Sequence, residues 1–172
     1  ITDKRKGIDY LIEACKLLAE KHPEWKESLG VVVFGNQSQQ LQDLIPFRVY
    51  PLPYIKNEHE LVDIYNAVDL FVIPSLEENL PNMVMEAMSC GVPCVGFNTG
   101  GIPEMIDHLH NGYVAQRKSS EDLANGIHWV LTEPEYAELS AQACRKAVGN
   151  YSESIIAKKY TDVYNKITGK YA

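Results

Sequence analysis

Apolar side chains recur along the chain with two different periods. In several segments they fall at every third or fourth position, the spacing that places them on one face of an α-helix. These helical segments are residues 7–22, 58–68, 81–90, 102–108, 120–131, 134–148 and 152–168. Pro81 lies in the first turn of its segment, where a missing N–H does no harm. The pattern therefore predicts a helix in each segment.

Short runs rich in Val, Ile and Phe lie between the helical segments. These runs are residues 29–34, 49–52, 69–73, 94–97 and 113–115. The run LGVVVF and the residues LFVI that follow Asp69 are continuously apolar, which is typical of strands buried on both faces of a sheet. Because strands and helices alternate over short connections, the sequence predicts parallel strands with crossover helices. The expected fold class is α/β, a Rossmann-like three-layer α/β/α domain with a doubly wound parallel sheet.

The domain organisation is simple. The 172 residues suit one globular domain, and no internal repeat, low-complexity segment or linker divides them. We therefore expect a single domain over residues 1–172. The chain begins ITDKRKG without an initiating Met, so we interpret it as part of a longer protein, with the first strand truncated at the start. No apolar run approaches the roughly 18–20 residues that span a bilayer, so no transmembrane helix is expected.

The charge balance argues against a nucleic-acid or anionic-membrane surface. Sixteen Lys and Arg residues stand against 23 Asp and Glu residues, which gives a formal net charge of -7. Phosphate backbones recruit clusters of Lys and Arg. The one basic cluster is Lys4, Arg5 and Lys6, near the first residue.

No metal site is predicted. His108 and His110 share a loop, but no third ligand accompanies them. The cysteines lack the spacing of a zinc or redox site, and their apolar neighbours predict small core residues in a reducing compartment. They are Cys15, Cys90, Cys94 and Cys144.

Candidate binding residues follow the predicted strands. In a doubly wound sheet the ligand crevice lies beyond the carboxyl ends of the strands. Here those ends are residues 35–36, 74–75 and 98–101. The second of them leads directly into the helix at Pro81, whose free N–H groups and dipole favour an anion. The side-chain amides of Asn79 and Asn82 are suited to hydrogen bonds with hydroxyl groups.

Two glutamates flank this helix start. Glu78 precedes the turn, and Glu86 interrupts the apolar run from Met83 to Met88. A carboxylate accepts two parallel hydrogen bonds, so each glutamate suits a vicinal diol such as a ribose or a hexose ring. In the alternative interpretation, Glu78 caps the helix and Glu86 is solvated. The local pattern alone leaves both interpretations open.

The wider motif resembles a known family. Residues 74–93 read PSLEENLPNMVMEAMSCGVP, in which Glu78 and Glu86 form an E-x7-E pair. This stretch resembles the C-terminal domain of GT-B glycosyltransferases of the large retaining family GT4. The resemblance covers nearly the whole chain. Further matching motifs are RKG at 5–7, AVD at 67–69, TGGIPE at 99–104 and NG at 111–112.

The resemblance implies a role for each matching charged residue. Glu86 would hold the ribose hydroxyls of a nucleotide-sugar donor, and Glu78 would lie near the hydroxyls of the transferred sugar. Lys6 would neutralise the departing diphosphate. The family's phosphate-binding Arg would fall at Ile1 or earlier, so it lies upstream of this chain, is absent, or is replaced functionally by Arg5.

The remaining donor contacts implied by the resemblance are mostly backbone groups and small side chains. Many family members have a Gly-rich E-G-F-G-L-P loop, whereas this chain reads ENLPN from Glu78. The expected contact residues are Gly35, Asn36, Tyr54, Ile55, Asn79, Leu80, Pro81, Asn82 and Met83.

The resemblance also implies the reaction and its partners. The donor would be a UDP- or GDP-sugar and the acceptor a carbohydrate or a lipid-linked sugar, with no cofactor and no metal ion. An N-terminal GT-B domain would supply much of the acceptor side and any peripheral membrane contact. The segment 152–168 would be the crossover helix to that domain, with Tyr160 and Tyr164 interpreted as packing residues. We expect a cytoplasmic bacterial enzyme of cell-surface polysaccharide or glycolipid synthesis.

Two other functions remain open. The first is a non-catalytic nucleotide- or sugar-binding module. The second is a glycoside hydrolase that uses Glu78 and Glu86. Hydrolases need two carboxylates flanking one bond, usually from different strands, whereas this pair shares one loop and helix.

Overall fold

Helices make up most of the domain. The computed structural model describes residues 3–35 and 38–169. The α-helices are α1 (Ile8–Lys21), α2 (Trp25–Ser28), α3 (Glu58–Asn66), α4 (Asn82–Ser89), α5 (Ile102–Met105), α6 (Ser120–Thr132), α7 (Tyr136–Tyr151) and α8 (Glu153–Ile167). Two short 3₁₀ helices, Lys4–Lys6 and Ser38–Leu41, precede α1 and follow the first strand. The predicted helical segments agree with these bounds to within a few residues.

Five parallel strands are described, hydrogen-bonded as two sheets. The strands are β1 (Gly30–Phe34), β2 (Arg48–Leu52), β3 (Phe71–Ile73), β4 (Cys94–Phe97) and β5 (Gly112–Ala115). In the described residues β1 pairs with β2, and β4 lies between β3 and β5. All pairings are parallel, so the carboxyl ends of β3, β4 and β5 lie at one edge. The α/β fold class with parallel strands and crossover helices is confirmed.

Helices cover both faces of the three-stranded sheet. The side chains of β4 point alternately to the two faces and pack on different helices. Val95 and Phe97 join a core cluster with α1 and α6, whereas Cys94 joins a second cluster with α4 and α7. All four residues of β4 are buried, as expected for the central strand of a three-layer domain. The core thus fixes the edge at which the strands end.

The sequence pattern overstated the burial of β1. Its residues after Gly30 are half-buried, although LGVVVF is continuously apolar. Among the described strands, β1 pairs with β2 alone, so it lacks the neighbours that bury both faces of a strand.

Tyr160 and Tyr164, interpreted from the sequence as packing residues, do not pack within the described part of the chain. Both side chains are exposed on α8, together with Val163 and Ile167.

No described helix is both long and apolar enough to cross a membrane.

Candidate functional site

The site begins at the basic turn, the 3₁₀ helix Lys4–Lys6. Gly7 follows it with a φ of 63°, a left-handed conformation that suits glycine. A Cβ at this position would collide with the carbonyl oxygen of Pro74, at the end of β3. Gly7 therefore lets the basic turn lie directly against the segment that carries the acidic residues.

Lys6 and Glu78 form an ion pair across this contact. The Lys6 ammonium donates a hydrogen bond of 2.7 Å to Glu78 Oε1. The Lys6 side chain is 57% exposed and the Glu78 side chain 15% exposed, so the lysine is open to solvent whereas the carboxylate is largely enclosed. The structure thus joins two residues that the sequence assigned to different parts of one donor.

Arg5 is held by Asp3 rather than by the acidic residues opposite it. Its Nε donates to Asp3 Oδ1 over 3.0 Å and its Nη2 to Asp3 Oδ2 over 2.9 Å. The hydrogen bond that Arg5 donates to Asp3 raises the pKa of Arg5, and the charges of Glu77 and Glu78 act in the same direction. Both side chains of the Arg5–Asp3 pair are exposed. Arg5, Lys6, Glu77, Glu78 and Asn79 line one open cleft of about 400 Å³.

The main chain of Leu76 fixes the acidic loop, which we define as residues 74–81. Its N–H donates to the Arg5 carbonyl over 2.7 Å. Its carbonyl accepts from Thr99 Oγ1 at 3.1 Å and from Arg117 Nε and Nη2 at 3.1 and 3.0 Å. The backbone N–H and carbonyl of this one residue thereby connect the acidic loop to three distant segments. No motif in the sequence predicts this role for Arg117.

The glycine pair of the TGG motif lies against the same loop. Gly100 has a φ of 52°, and a Cβ there would collide with the carbonyl oxygen of Glu78. A Cβ at Gly101 would meet the carbonyl of Asn79, which accepts the Gly101 N–H. These contacts explain why two glycines follow Thr99 at the end of β4.

The start of α4 presents free backbone donors. Pro81 is the N-cap and has no side-chain cap bond, so the alternative in which Glu78 caps this helix is wrong. The carbonyl of Pro81 accepts from Val84 N–H. Within the described residues, the amides of Asn82 and Met83 have no hydrogen-bond acceptor. Leu80, Asn82 and Met83 are exposed, so this helix end is accessible to an anion.

Glu86 lies in the second turn of α4 and is half-buried. Its Oε2 accepts a hydrogen bond of 3.2 Å from the hydroxyl of Tyr65 on α3. It is therefore not simply a solvated helix residue. The cleft lined by Lys6 and Glu78 does not include Glu86 in its wall.

The other predicted contact residues lie outside that cleft wall. Gly35 follows β1 with a φ of 121°, and nothing within 4 Å would meet a Cβ there. Tyr54 is 66% exposed after β2, beside the half-buried Ile55. Asn36 falls outside the described residues.

The histidine pair shows no metal arrangement. His108 Nδ1 accepts a hydrogen bond of 3.1 Å from Val114 N–H, and its ring packs on Tyr113. Within the described residues, no three His, Cys, Asp or Glu side chains cluster as metal ligands.

The free cysteines Cys15 and Cys94 are buried, whereas Cys90 and Cys144 are half-buried. Burial raises the pKa of the Cys15 thiol to about 12, so this thiol stays protonated.

Sequence comparison decides the family. The model of the family "Glycosyl transferases group 1" matches residues 2–147. The chain belongs to the glycosyl transferases group 1 family. An uncharacterised glycosyltransferase of Methanocaldococcus jannaschii is 32% identical over 166 residues, which are 93% of this chain and 42% of that protein. The chain spans roughly two fifths of the length of the curated relatives it matches.

Solved structures give the same fold. The C-terminal domain of a glycosyl transferase group 1 family protein (LpcC) from Francisella tularensis has a TM-score of 0.73 at 21% identity, covering 88% of this chain and 82% of that one. The Anabaena protein Alr3699/HepE in complex with UDP-glucose has a TM-score of 0.76 at 24% identity, covering 95% of this chain and 46% of that one. The group 1 chain therefore has the fold of a GT-B C-terminal domain.

Proposed function

We propose that this domain binds the nucleotide-sugar donor of a retaining, GT4-type glycosyltransferase. The observation that carries the proposal is the Lys6–Glu78 pair, which lines one cleft with Arg5. The loop that carries Glu78 leads into the free amides at the start of α4. Cations and oriented N–H groups match a diphosphate, whereas a half-enclosed carboxylate matches sugar hydroxyls. HepE, with the same fold, is described in complex with UDP-glucose, which supports a UDP-sugar as the first donor to test.

The proposed reaction breaks the bond between the sugar anomeric carbon and the phosphate oxygen. The bonding electrons leave with the diphosphate. The acceptor hydroxyl oxygen forms the new bond to the anomeric carbon, and its proton passes to the departing diphosphate. Negative charge grows on the diphosphate oxygens, where Lys6, once it turns from Glu78, and the α4 amides would stabilise it. Because these groups supply positive charge, we propose a reaction that needs no metal ion or cofactor. Glu78 would orient the transferred sugar and Glu86 the ribose.

The remaining partners would lie beyond this domain. The exposed apolar face of α8 comprises Tyr160, Val163, Tyr164 and Ile167. We propose that it contacts the N-terminal GT-B domain, since the chain spans only roughly two fifths of its relatives. That domain would bind the carbohydrate or lipid-linked acceptor and any membrane surface. We extend the proposal to cytoplasmic synthesis of a bacterial cell-surface polysaccharide or glycolipid.

Calorimetric titration of the complete protein with UDP, GDP and ADP tests the donor site. We expect one diphosphate to bind at least tenfold more tightly than the other two. Absence of binding at millimolar concentration of all three would overturn the proposal. Incubation with the matching nucleotide-sugars and an acceptor mixture, followed by NMR of the anomeric signal, tests transfer and retention. Release of free sugar from a glycoside without nucleotide would instead support the hydrolase.

A further inference from the structure

Tyr65 is a core residue that carries one polar contact. It lies near the end of α3, is 2% exposed, and packs in the cluster that contains Val84, Ala87 and Met88 of α4. Its ring meets the edge of Phe71 with centroids 5.9 Å apart. A phenylalanine would fill this space equally well, so packing alone does not account for the hydroxyl group.

The hydroxyl group has a single described partner, Glu86 Oε2, at 3.2 Å. Burial first, and then the neighbouring Glu86 charge, raise the pKa of Tyr65 far above its ordinary value. The phenol therefore keeps its proton and remains a hydrogen-bond donor at any physiological pH. Within the described residues, Glu86 Oε1 accepts no hydrogen bond.

The two oxygens of Glu86 thus differ in their tasks. Oε2 is fixed to a rigid aromatic ring in the core, and Oε1 is left for a ligand. A glutamate without such an anchor samples several rotamers and loses that freedom when it binds. Immobilising one rotamer-rich side chain costs about 0.5–1.5 kcal/mol, or about 2- to 12-fold in affinity.

We propose that Tyr65 is a positioning residue of the donor site, which holds Glu86 so that its free oxygen meets the ribose diol of the nucleotide-sugar. Tyr65 does not touch the donor, and it acts through Glu86 alone. The inference rests on the proposed function, and it adds a residue from α3 to a site otherwise built from the basic turn, the acidic loop and α4.

The test compares ribonucleotide with dideoxynucleotide binding in the complete protein. UDP, GDP or ADP, whichever binds, is titrated beside its 2′,3′-dideoxy analogue into wild type and Tyr65→Phe. We expect Tyr65→Phe to weaken binding of the ribonucleotide about 3- to 10-fold and to change binding of the dideoxy analogue by no more than about twofold. Only the ribonucleotide has the diol that would hydrogen-bond to Glu86. In a Glu86→Ala background, Tyr65→Phe should have no further effect on either ligand.

Tyr136→Phe is the matched control. The Tyr136 hydroxyl donates to the Asp69 carbonyl over 2.9 Å, at the opposite end of β3 from the site. We expect it to change neither affinity. If Tyr65→Phe does not fold, Tyr65→Met removes the same hydroxyl while keeping an apolar side chain.

The outcomes separate the two levels of inference. If wild type binds no nucleoside diphosphate, both the proposed function and the role of Tyr65 fail. If wild type binds but does not distinguish the dideoxy analogue, or if Tyr65→Phe weakens both ligands equally, the role of Tyr65 fails and the donor site stands.

Discussion

Lys6 and Glu78 meet at 2.7 Å although 72 positions separate them in the chain. In the absence of a donor, each neutralises the charge of the other. A bound diphosphate would compete with Glu78 for the Lys6 ammonium, so the pair links phosphate binding to the freedom of the carboxylate.

Replacing Lys6 should weaken diphosphate binding selectively. We expect Lys6→Ala to reduce affinity for the nucleoside diphosphate by about 1–2 kcal/mol through loss of a charged hydrogen bond, with little change for the nucleoside. Calorimetry on both ligands measures the difference. Lys4→Ala is the control, since Lys4 is exposed in the same turn without an ion-pair partner in the described residues. Equal losses in the two variants would contradict the role of Lys6.

Glu78→Gln should separate binding from transfer. The change frees Lys6 and removes a negative charge beside the diphosphate, so nucleoside diphosphate affinity should stay equal or rise. Turnover should fall about 100-fold if the carboxylate stabilises the transferred sugar at the transition state. Glu77→Gln is the control, because Glu77 lines the same cleft but is exposed and has no hydrogen bond within the described chain. A Glu78 variant with wild-type turnover would exclude this role.

Two glycine variants should change stability in opposite directions. We expect Gly100→Ala to lower the free energy of unfolding by about 1–3 kcal/mol, because it places a Cβ at positive φ against the Glu78 carbonyl. Gly149→Ala lies in α7 with open space around it, so it should raise that free energy by about 0.5–1 kcal/mol. Urea unfolding measures both changes. Destabilisation by Gly149→Ala would contradict the open space that the structure shows around position 149 of α7.

Arg117 should hold the acidic loop in place without contributing a charge to the donor. We expect Arg117→Ala to cost about 1 kcal/mol of stability and to speed hydrogen exchange at the Leu76 amide. Arg117→Lys should recover only part of this, since a lysine does not reproduce the fork of two N–H donors. Arg145→Ala, which removes an exposed pair with Glu138, should leave exchange at Leu76 unchanged.

His128 should make the domain less stable in mild acid. Burial first, and then the charges of His22 and Lys21, lower the pKa of His128 below its ordinary 6.5. The unfolded chain then binds the proton more readily than the folded chain. The contribution of His128 to the free energy of unfolding is therefore fully present above pH 6.5 and is lost as the pH falls through the lower pKa of the folded state. Because the ring is half-exposed, the loss should stay well below about 1 kcal/mol. Urea unfolding at pH 7.5 and pH 5 should show a smaller difference for His128→Gln than for wild type, whereas the exposed His59→Gln should match wild type.

The strands and helices followed from local pattern, but their neighbours did not. The apolar run of β1 and that of β4 look alike in sequence, yet among the strands that the structure describes only β4 has a strand on both sides. Burial depends on which strands pair, and pairing is a non-local property. The same reason accounts for Tyr160 and Tyr164, whose helical spacing gives no sign that α8 presents them to solvent.

The sequence points to candidate residues where charge and motif coincide, but it does not point to Tyr65, which we propose to act through Glu86. Glu78 and the start of α4 were named from local acidic and helix-start signals, whereas the role of Lys6 came from the resemblance to the family. Tyr65 occupies an apolar stripe and is indistinguishable from a core tyrosine by sequence. Its partner Glu86 lies on another helix, so only the fold shows that the two meet.

The hydrogen bonds at Leu76 limit how this region tolerates changes in length. Its backbone N–H donates to the basic turn, and its carbonyl accepts hydrogen bonds from the loop after β4 and from the segment after β5. Inserting or deleting one residue between Leu76 and Pro81 would leave these bonds intact but move Glu78 away from Lys6 or rotate the start of α4. Loop length here is therefore as much a determinant of the site as residue identity.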